Sequence, residues 1–353
     1  MFERYINNRF LILYLFPFLI GSSTVFSFAP FNYTFINFIV LPLFFYLTVH
    51  IKKKSKSTYR KKPFKLNLFI YGTSFGFGFY LSGIYWITNS LTFDESFKIL
   101  IPIGLIFIPL FLSLFFSLVT FTIGPFLNFN FSSILLMSAV LSFSDFVRAK
   151  ILTGFPWNLW VYTFNWATEI IQILSLIGLF AFNLLSITIF LLPSVLFLNL
   201  SSLKKASSIG FILLTFLILY IYGNFTINQN EKYLANISQK FNVKVVSPNF
   251  PLRYGLTIDQ IEKRLSKLIR YSEPDKNVKT LFIWPEGVFS GYAFNEILTI
   301  KKVIRKNFSD NHYILFGINI FDENKNGFYN SLVLVNNKLE IIQEYRKQKL
   351  VPF

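Results

Sequence analysis

A carboxylate at the end of an apolar run is the first candidate for chemistry. Glu286 follows the run Thr280–Trp284 and lies in the tetrapeptide Trp-Pro-Glu-Gly. Such a run predicts a buried strand, and functional groups gather at the carboxyl ends of strands in α/β sheets. Partial desolvation beside Trp284 and Pro285 would raise the pKa of Glu286 toward the range of a general base. The alternative is an exposed, inert glutamate in a turn.

A cation near the end of the chain is the second candidate. The segment Tyr345–Phe353 reads Tyr-Arg-Lys-Gln-Lys-Leu-Val-Pro-Phe and places Lys347 and Lys349 after a predicted strand. An ammonium held near a carboxylate can stabilise a developing oxyanion. A solvated basic turn is the alternative interpretation of the same residues.

A third group of residues lies among strongly apolar segments. Asp145 and Arg148 are three residues apart and therefore share a helix face, and Gly154–Trp157 reads Gly-Phe-Pro-Trp. Charges at membrane depth usually pair or line a cavity, because isolation in hydrocarbon is costly. The two interpretations are a functional site and a helix-end ion pair beside an interfacial aromatic belt.

The composition is that of a membrane protein. Of the 353 residues, 53% are hydrophobic and 14% are charged, whereas soluble domains have about 25% charged residues. The absence of cysteine excludes disulfides, thiolate metal sites and a cysteine nucleophile within these residues. The net charge of +17 clusters beside apolar runs and no nucleic-acid-binding module is recognisable, so we expect no nucleic acid partner. We also expect no metal and no cofactor.

Seven apolar segments precede residue 225, and most reach the roughly 20 residues that a helix needs to cross a hydrocarbon core. They are Phe10–Phe28, Phe31–Val49, Leu66–Thr88, Ile99–Phe126, Phe131–Val147, Ile170–Leu200 and Ala206–Asn224. We therefore predict a polytopic membrane domain over residues 1–225 with about seven transmembrane helices. Pro102, Pro109 and Pro193 are candidate bends in the long fourth and sixth segments.

The placement of lysine and arginine predicts the orientation of these segments. Two arginines precede the first segment, eight basic residues lie within Lys52–Lys65, and Lys204 and Lys205 separate the sixth segment from the seventh. With alternating spans all three groups lie on one side, which the positive-inside rule makes cytoplasmic. We expect a multi-pass protein of the bacterial inner membrane whose residues after Asn224 lie in the periplasm.

The pattern changes after about residue 225, where short β-type runs alternate with amphipathic helical segments. The runs are Val243–Val246, Thr280–Trp284, Tyr313–Ile320, Tyr329–Val335 and Leu339–Tyr345. Thr257 and Gln260 form a capping box that begins the first helix, and Glu296–Lys306 is the second. This order predicts a layered α/β domain over residues 226–353.

Four segments occur in an order and at a spacing typical of one known family. They are Phe28–Phe31, Gly154–Trp157, Trp284–Glu286 and Tyr345–Phe353, in which Tyr-x-Lys precedes Leu-Val-Pro-Phe. Together they resemble the apolipoprotein N-acyltransferases, and the resemblance covers essentially the whole chain. It implies a membrane domain topped by a periplasmic nitrilase-like (CN hydrolase) domain, which has an αββα sandwich fold.

The resemblance also implies an acyltransferase of lipoprotein biosynthesis. That family moves an acyl chain from a phospholipid to the N-terminal diacylglyceryl-cysteine of an apolipoprotein, through a thioester and with Glu, Lys and Cys as catalytic residues. By motif, Glu286 matches the general base and Lys347 the oxyanion-stabilising lysine, while Lys349 lies two places beyond the family position. The implied partners are the phospholipid acyl donor, the apolipoprotein acceptor and membrane lipids.

The sequence departs from the family pattern at its C-terminal end. In the family, Leu-Val-Pro-Phe is followed by Gly-Glu and, further on, by the nucleophilic cysteine, whereas this sequence ends at Phe353. We therefore expect a partial, C-terminally truncated nitrilase-like domain and no activity of these 353 residues alone. The alternatives are a membrane-tethered amidase-like hydrolase, a transporter, and a non-catalytic membrane protein or decayed gene product.

Overall fold

The computed structural model describes residues 8–58, 63–92, 95–151, 154–237, 241–251, 255–322 and 326–348. The chain forms two compact units, Met1–Ala235 and Asn236–Phe353. The first unit is helical, and the second contains a mixed β-sheet with helices.

Seven main helices occur in the described part of the first unit. They are α1 (Leu11–Ser27, of which Phe16–Ser23 is α-helical), α2 (Asn37–Thr58), α3 (Pro63–Ile84), α4 (Ile101–Ile123), α5 (Phe131–Arg148), α6 (Leu174–Leu191) and α7 (Ser202–Asn236). A single helical turn, Thr168–Ile171, precedes α6.

Five helical segments of the described chain are long and apolar enough to cross a membrane. They are Thr34–Lys54, Glu95–Ile123, Phe131–Arg148, Leu174–Phe197 and Ser202–Asn236. Helix α1 is shorter than these five segments. Helix α3 does not reach their hydropathy, because it contains several glycines and polar side chains. A polytopic helical membrane domain is therefore confirmed for five segments, and the count of seven spans stays a prediction.

Helix α3 lies at the centre of this unit, because small residues let its neighbours approach closely. A Cβ atom added at Gly78 would collide with the carbonyl oxygen of Phe18 in α1, and one at Gly72 would collide with Thr120 in α4. Aromatic rings then fill the space around the helix, and Phe44 and Phe75 have ring centroids only 4.3 Å apart. Packing of small residues is a common means of association for helices in lipid.

The bend in the sixth apolar segment lies at a glycine. Gly178 has φ of 77° and ψ of 173°, which interrupts α6. This positive φ favours glycine over residues with a Cβ atom. Pro193 begins a 3-10 segment, Leu192–Phe197, at the end of the same helix. The sequence identified the proline but not the sharper interruption at Gly178.

The second unit contains a five-stranded sheet in the order β1-β2-β3-β4-β5. Its strands are β1 (Asn242–Val245), β2 (Thr280–Ile283), β3 (His312–Asp322), β4 (Gly327–Asn336) and β5 (Ile341–Arg346). The first three strands are parallel, and β4 and β5 are each antiparallel to the preceding strand. Helix α8 (Ile258–Ser272) joins β1 to β2, and a 3-10 turn with α9 (Lys301–Asn307) joins β2 to β3. All five predicted strands and both helical segments are confirmed.

The two faces of this sheet differ in what covers them. On one face, Phe282, Phe316 and Val333 are buried in a core with apolar residues of α8 and α9. Helix α8 begins with the predicted capping interaction, because the Thr257 backbone N–H donates to Gln260 Oε1 at 3.1 Å. The opposite face is apolar but open, with exposed side chains at Val243, Val245, Leu332 and Tyr345. The unit therefore has one helix-covered layer and one uncovered apolar layer.

Candidate functional site

A cavity of about 790 Å³ lies at the carboxyl ends of β1 and β2. Its walls come from the residues after β1, the turn after β2, the middle of β3 and β4, and the end of β5. Both Glu286 and Lys347 line it. The structure therefore brings the two sequence-predicted site residues to one cavity, and their catalytic roles stay predictions.

The strand register explains why residues so far apart in sequence meet here. Gly317 of β3 is opposite Leu332 of β4, which is opposite Tyr345 of β5. Two successive antiparallel pairings make β5 run in the same direction as β2 and β3, so the chain leaves β2 and β5 at the same end of the sheet. The Lys347 backbone N–H then donates to the Asn330 carbonyl at 2.9 Å, which continues the ladder to this residue.

Glu286 is exposed at the start of the turn that follows β2. The expected partial burial beside Trp284 is therefore wrong. Trp284 faces the helix-covered core, where its Nε1–H donates to Ser272 Oγ at 3.1 Å, so its ring does not shield the carboxylate. Within the described chain, the Glu286 carboxylate has no hydrogen bond or ion pair, and it stays available to a molecule in the cavity.

Lys347 is likewise exposed at the cavity. Arg346 is paired with Glu344 at 2.7 Å and with Asp322 at 2.8 Å. These hydrogen bonds, first that of Glu344 and then that of Asp322, raise the pKa of Arg346 above its ordinary value. Lys349 and the Leu-Val-Pro-Phe motif lie outside the described residues.

Three of the polar residues that line the cavity and that sequence reasoning missed are Asn319, Asn330 and Arg264. Asn319 and Asn330 are directly opposite each other in the β3–β4 register, and both side chains are exposed. Asparagine is depleted in strands, so an asparagine inside each predicted β-run was the available signal. The third is Arg264 of α8, which the sequence analysis did not single out.

The predicted pair in the helical unit forms a buried ion pair. Arg148 Nη2 donates to Asp145 Oδ1 at 2.9 Å, and the two side chains are only 1% and 6% exposed. Arg148 Nη1 also donates to the carbonyl oxygens of Phe155 at 2.6 Å and Trp157 at 2.7 Å. The predicted ion pair is confirmed. Through its two carbonyl hydrogen bonds, Arg148 also binds the Gly-Phe-Pro-Trp segment to the end of α5.

A buried amide extends this network to α6. Asn183 Nδ2 donates to Asp145 Oδ2 at 2.9 Å, and its Oδ1 accepts from the Val161 backbone N–H at 3.1 Å. Each charged group therefore has several partners, as buried charges require. In the described ranges, no group of three or more histidine, aspartate and glutamate side chains is placed to hold a metal ion.

Comparison with known proteins agrees with this architecture. The apolipoprotein N-acyltransferase N-terminal domain family matches residues 20–192. An apolipoprotein N-acyltransferase of Rhodopseudomonas palustris is 27% identical over 95% of this chain and 63% of that protein. An apolipoprotein N-acyltransferase of Rickettsia typhi is 27% identical over 95% of this chain and 64% of that protein. One of Brucella suis is 24% identical over 80% of this chain and 54% of that protein.

The chain thus combines apolar helices and an α/β unit with similarity to proteins named as acyltransferases. Residues 20–192 match the N-terminal domain of the apolipoprotein N-acyltransferase family, and the chain is similar to these proteins over most of its length. It spans 63% and 64% of the length of the first two relatives.

Proposed function

We propose that this chain contributes the membrane domain and part of the catalytic domain of an enzyme that N-acylates apolipoproteins. The acyl donor is a phospholipid, and the acceptor is the α-amino group of an N-terminal diacylglyceryl-cysteine. The observation that carries the proposal is that Glu286 and Lys347, which match the family's base and lysine, line one cavity. The basic clusters favour an inner-membrane location with the α/β unit in the periplasm.

In the proposed first step, Glu286 accepts the proton of a thiol. The sulfur attacks the ester carbonyl carbon of the donor, a C–S bond forms, and the C–O bond to the glycerol breaks. Glu286 then returns its proton to the departing alkoxide, which leaves as a lysophospholipid. The Lys347 ammonium stabilises the negative charge on the carbonyl oxygen in the tetrahedral intermediate.

In the second step, the acceptor amine attacks the thioester carbonyl. Glu286 accepts the amine proton, the C–S bond breaks, and the proton passes to the sulfur, so that the starting thiol is restored. A thiolate suits both steps because it is a good nucleophile and a good leaving group. The 353 residues contain no cysteine, so this thiol has to come from outside them, and we expect these residues alone to be inactive.

The open face of the sheet supports a second layer in the complete domain. Gly317, Leu332 and Tyr345 line the cavity and also lie on the uncovered apolar face. An apolar face of this kind is usually packed against another layer. We propose that a second sheet packs here, as in the αββα sandwich that the family resemblance implies, and closes the cavity on that side.

An amidase-like hydrolase is the second candidate function, because it would use the same carboxylate and ammonium with water as acceptor. Complementation of a bacterial strain depleted of its apolipoprotein N-acyltransferase separates the two. The 353-residue chain should fail, and the chain continued in frame with a family C-terminal segment that carries the cysteine should restore growth. A hydrolase would release a free carboxylic acid together with an amine or an alcohol, without restoring growth.

Substitutions in the extended chain test the two residues. Glu286→Gln and Lys347→Met should each abolish rescue, whereas the exposed controls Glu262→Gln and Lys338→Met should retain it. Rescue by the unextended chain would mean that a nucleophile other than cysteine operates, and the proposed mechanism would be wrong.

A further inference from the structure

We infer that Arg264 is a positioning residue that holds the turn carrying Glu286 against the cavity. The inference rests on the proposed role of Glu286 but concerns a residue outside the matched motifs. Arg264 projects from α8, lines the cavity and is 8% exposed. A buried guanidinium has to satisfy its donors, so its partners show which segments it fixes.

Those partners are backbone carbonyls of two different segments. Arg264 Nη2 donates to the Pro251 carbonyl at 2.7 Å, in the segment that follows β1. Its Nη1 donates to the Gly287 carbonyl at 3.1 Å and lies 3.5 Å from that of Val288, in the turn that follows β2. One planar group thus ties together two walls of the cavity, a task that suits the fixed fork of an arginine.

The anchored peptide is the one next to the proposed base. Glu286 itself has no side-chain partner in the described structure, so its position depends on the backbone of its turn. Gly287 has φ of 72°, and its carbonyl is the acceptor that Arg264 holds. The Phe250 ring lies 4.9 Å from the guanidinium carbon and limits its movement from the other side. Fixing the place of a catalytic group in this way lowers the entropy cost of reaching the reactive geometry.

Lys267 provides a matched control on the same helix. It lies three residues after Arg264, and its Nζ donates to the Pro248 carbonyl at 2.6 Å, also in the segment after β1. It lies 5.4 Å from the centre of the same Phe250 ring. Its hydrogen bond holds the first wall and not the turn after β2, so its removal tests loss of a half-buried cation without loss of the bridge.

The absence of cysteine permits a direct measurement in the 353-residue chain in detergent. Ser290→Cys places one nitroxide label on the cavity wall after β2, and Gln348→Cys places a second label next to Lys347, just after β5. Pulsed electron paramagnetic resonance gives the distance distribution of this cavity-wall pair. A second pair, Lys263→Cys with Lys302→Cys, reports on the exposed surfaces of α8 and α9. The measurement needs no catalysis, so failure of the proposed function leaves its result interpretable.

Arg264→Met should broaden the cavity-wall distribution roughly twofold, as expected for release of a local contact, and leave the α8–α9 pair unchanged. Arg264→Lys should broaden it less, since an ammonium can hold one carbonyl but does not span both segments, and Lys267→Met should match the parent. An unchanged cavity-wall distribution in Arg264→Met would overturn the inference. So would equal broadening of both pairs, because the residue would then support the unit as a whole.

Discussion

Replacement of Arg148 by methionine tests whether the buried ion pair holds the helical unit together. The substitution keeps most of the side-chain volume but removes the donor to Asp145 and the two donors to Phe155 and Trp157 carbonyls. Asp145 then keeps the Asn183 amide as its side-chain donor. A buried carboxylate without its counter-ion is the main source of the expected loss.

Removing one partner of a buried ion pair typically costs about 3–5 kcal/mol. The two carbonyls that lose their donor add to this cost only in part, because hydrogen-bond losses in one network are not additive. We therefore expect Arg148→Met to lower the free energy of unfolding by about 3–5 kcal/mol. The double variant Asp145→Asn with Arg148→Met should regain at least half of that loss, because no unpaired charge remains.

Unfolding in mixed micelles, followed by tryptophan fluorescence, measures the change, since Trp160 is buried close to this segment in sequence. The matched control is Lys98→Met, which removes another pair with the same three-residue spacing. Its partner is Glu95 at 2.6 Å, and the two side chains are 46% and 87% exposed. Exposed pairs of this kind contribute little, so the control should behave as the parent. Equal effects of Arg148→Met and Lys98→Met would refute the reasoning.

Three further predictions concern the rest of the chain. Reporter fusions at Lys56 and Lys276 should lie on opposite sides of the membrane, as the distribution of basic residues predicts, and fusions on one side would overturn the assigned topology. Gly223→Leu should lower the unfolding free energy by about 1–3 kcal/mol, because the added side chain would collide with the Glu169 carbonyl. The control Gly210→Leu, in the same helix, has open space around it and should be neutral. Val245→Thr, on the open sheet face, should make the 353-residue chain less prone to aggregate. In the extended chain, where the proposed second sheet would cover this position, the same substitution should lower the stability. A stabilising effect in both chains would argue against a second layer.

The order of elements followed from the sequence because local patterns determine it. Short β-type runs marked β3 and β4, and Thr257 with Gln260 marked the beginning of α8, where the expected hydrogen bond occurs. The three-residue spacing of Asp145 and Arg148 was likewise enough to place them on one helix face. Each of these features depends on residues close together in the chain.

Features that depend on distant residues were not available in the same way. The sequence pattern did not single out Arg264, because its contacts with Pro251 and Gly287 follow from the packing of α8 on the sheet. The exposure of Glu286 depends on the direction of the Trp284 ring, which the tetrapeptide does not fix. Helix α3 falls below the hydropathy of the five candidate spans partly because of its glycines. Those glycines serve close packing against neighbouring helices, which the composition of α3 does not reveal.

The separation of Glu286 and Lys347 is a property of the sheet that bears on the proposed chemistry. The two residues follow β2 and β5, with β3 and β4 between them. Three strand spacings amount to about 14 Å, so the two backbones flank a gap and do not form a contact pair. This geometry explains why the described structure shows no ion pair between the carboxylate and the ammonium, although their charges are opposite. It also leaves space for a reacting carbonyl and a sulfur atom between the proposed base and the proposed oxyanion-stabilising group, as the proposed two-step transfer requires. A catalytic role for the pair therefore depends on a third component that enters the gap from the open side of the cavity.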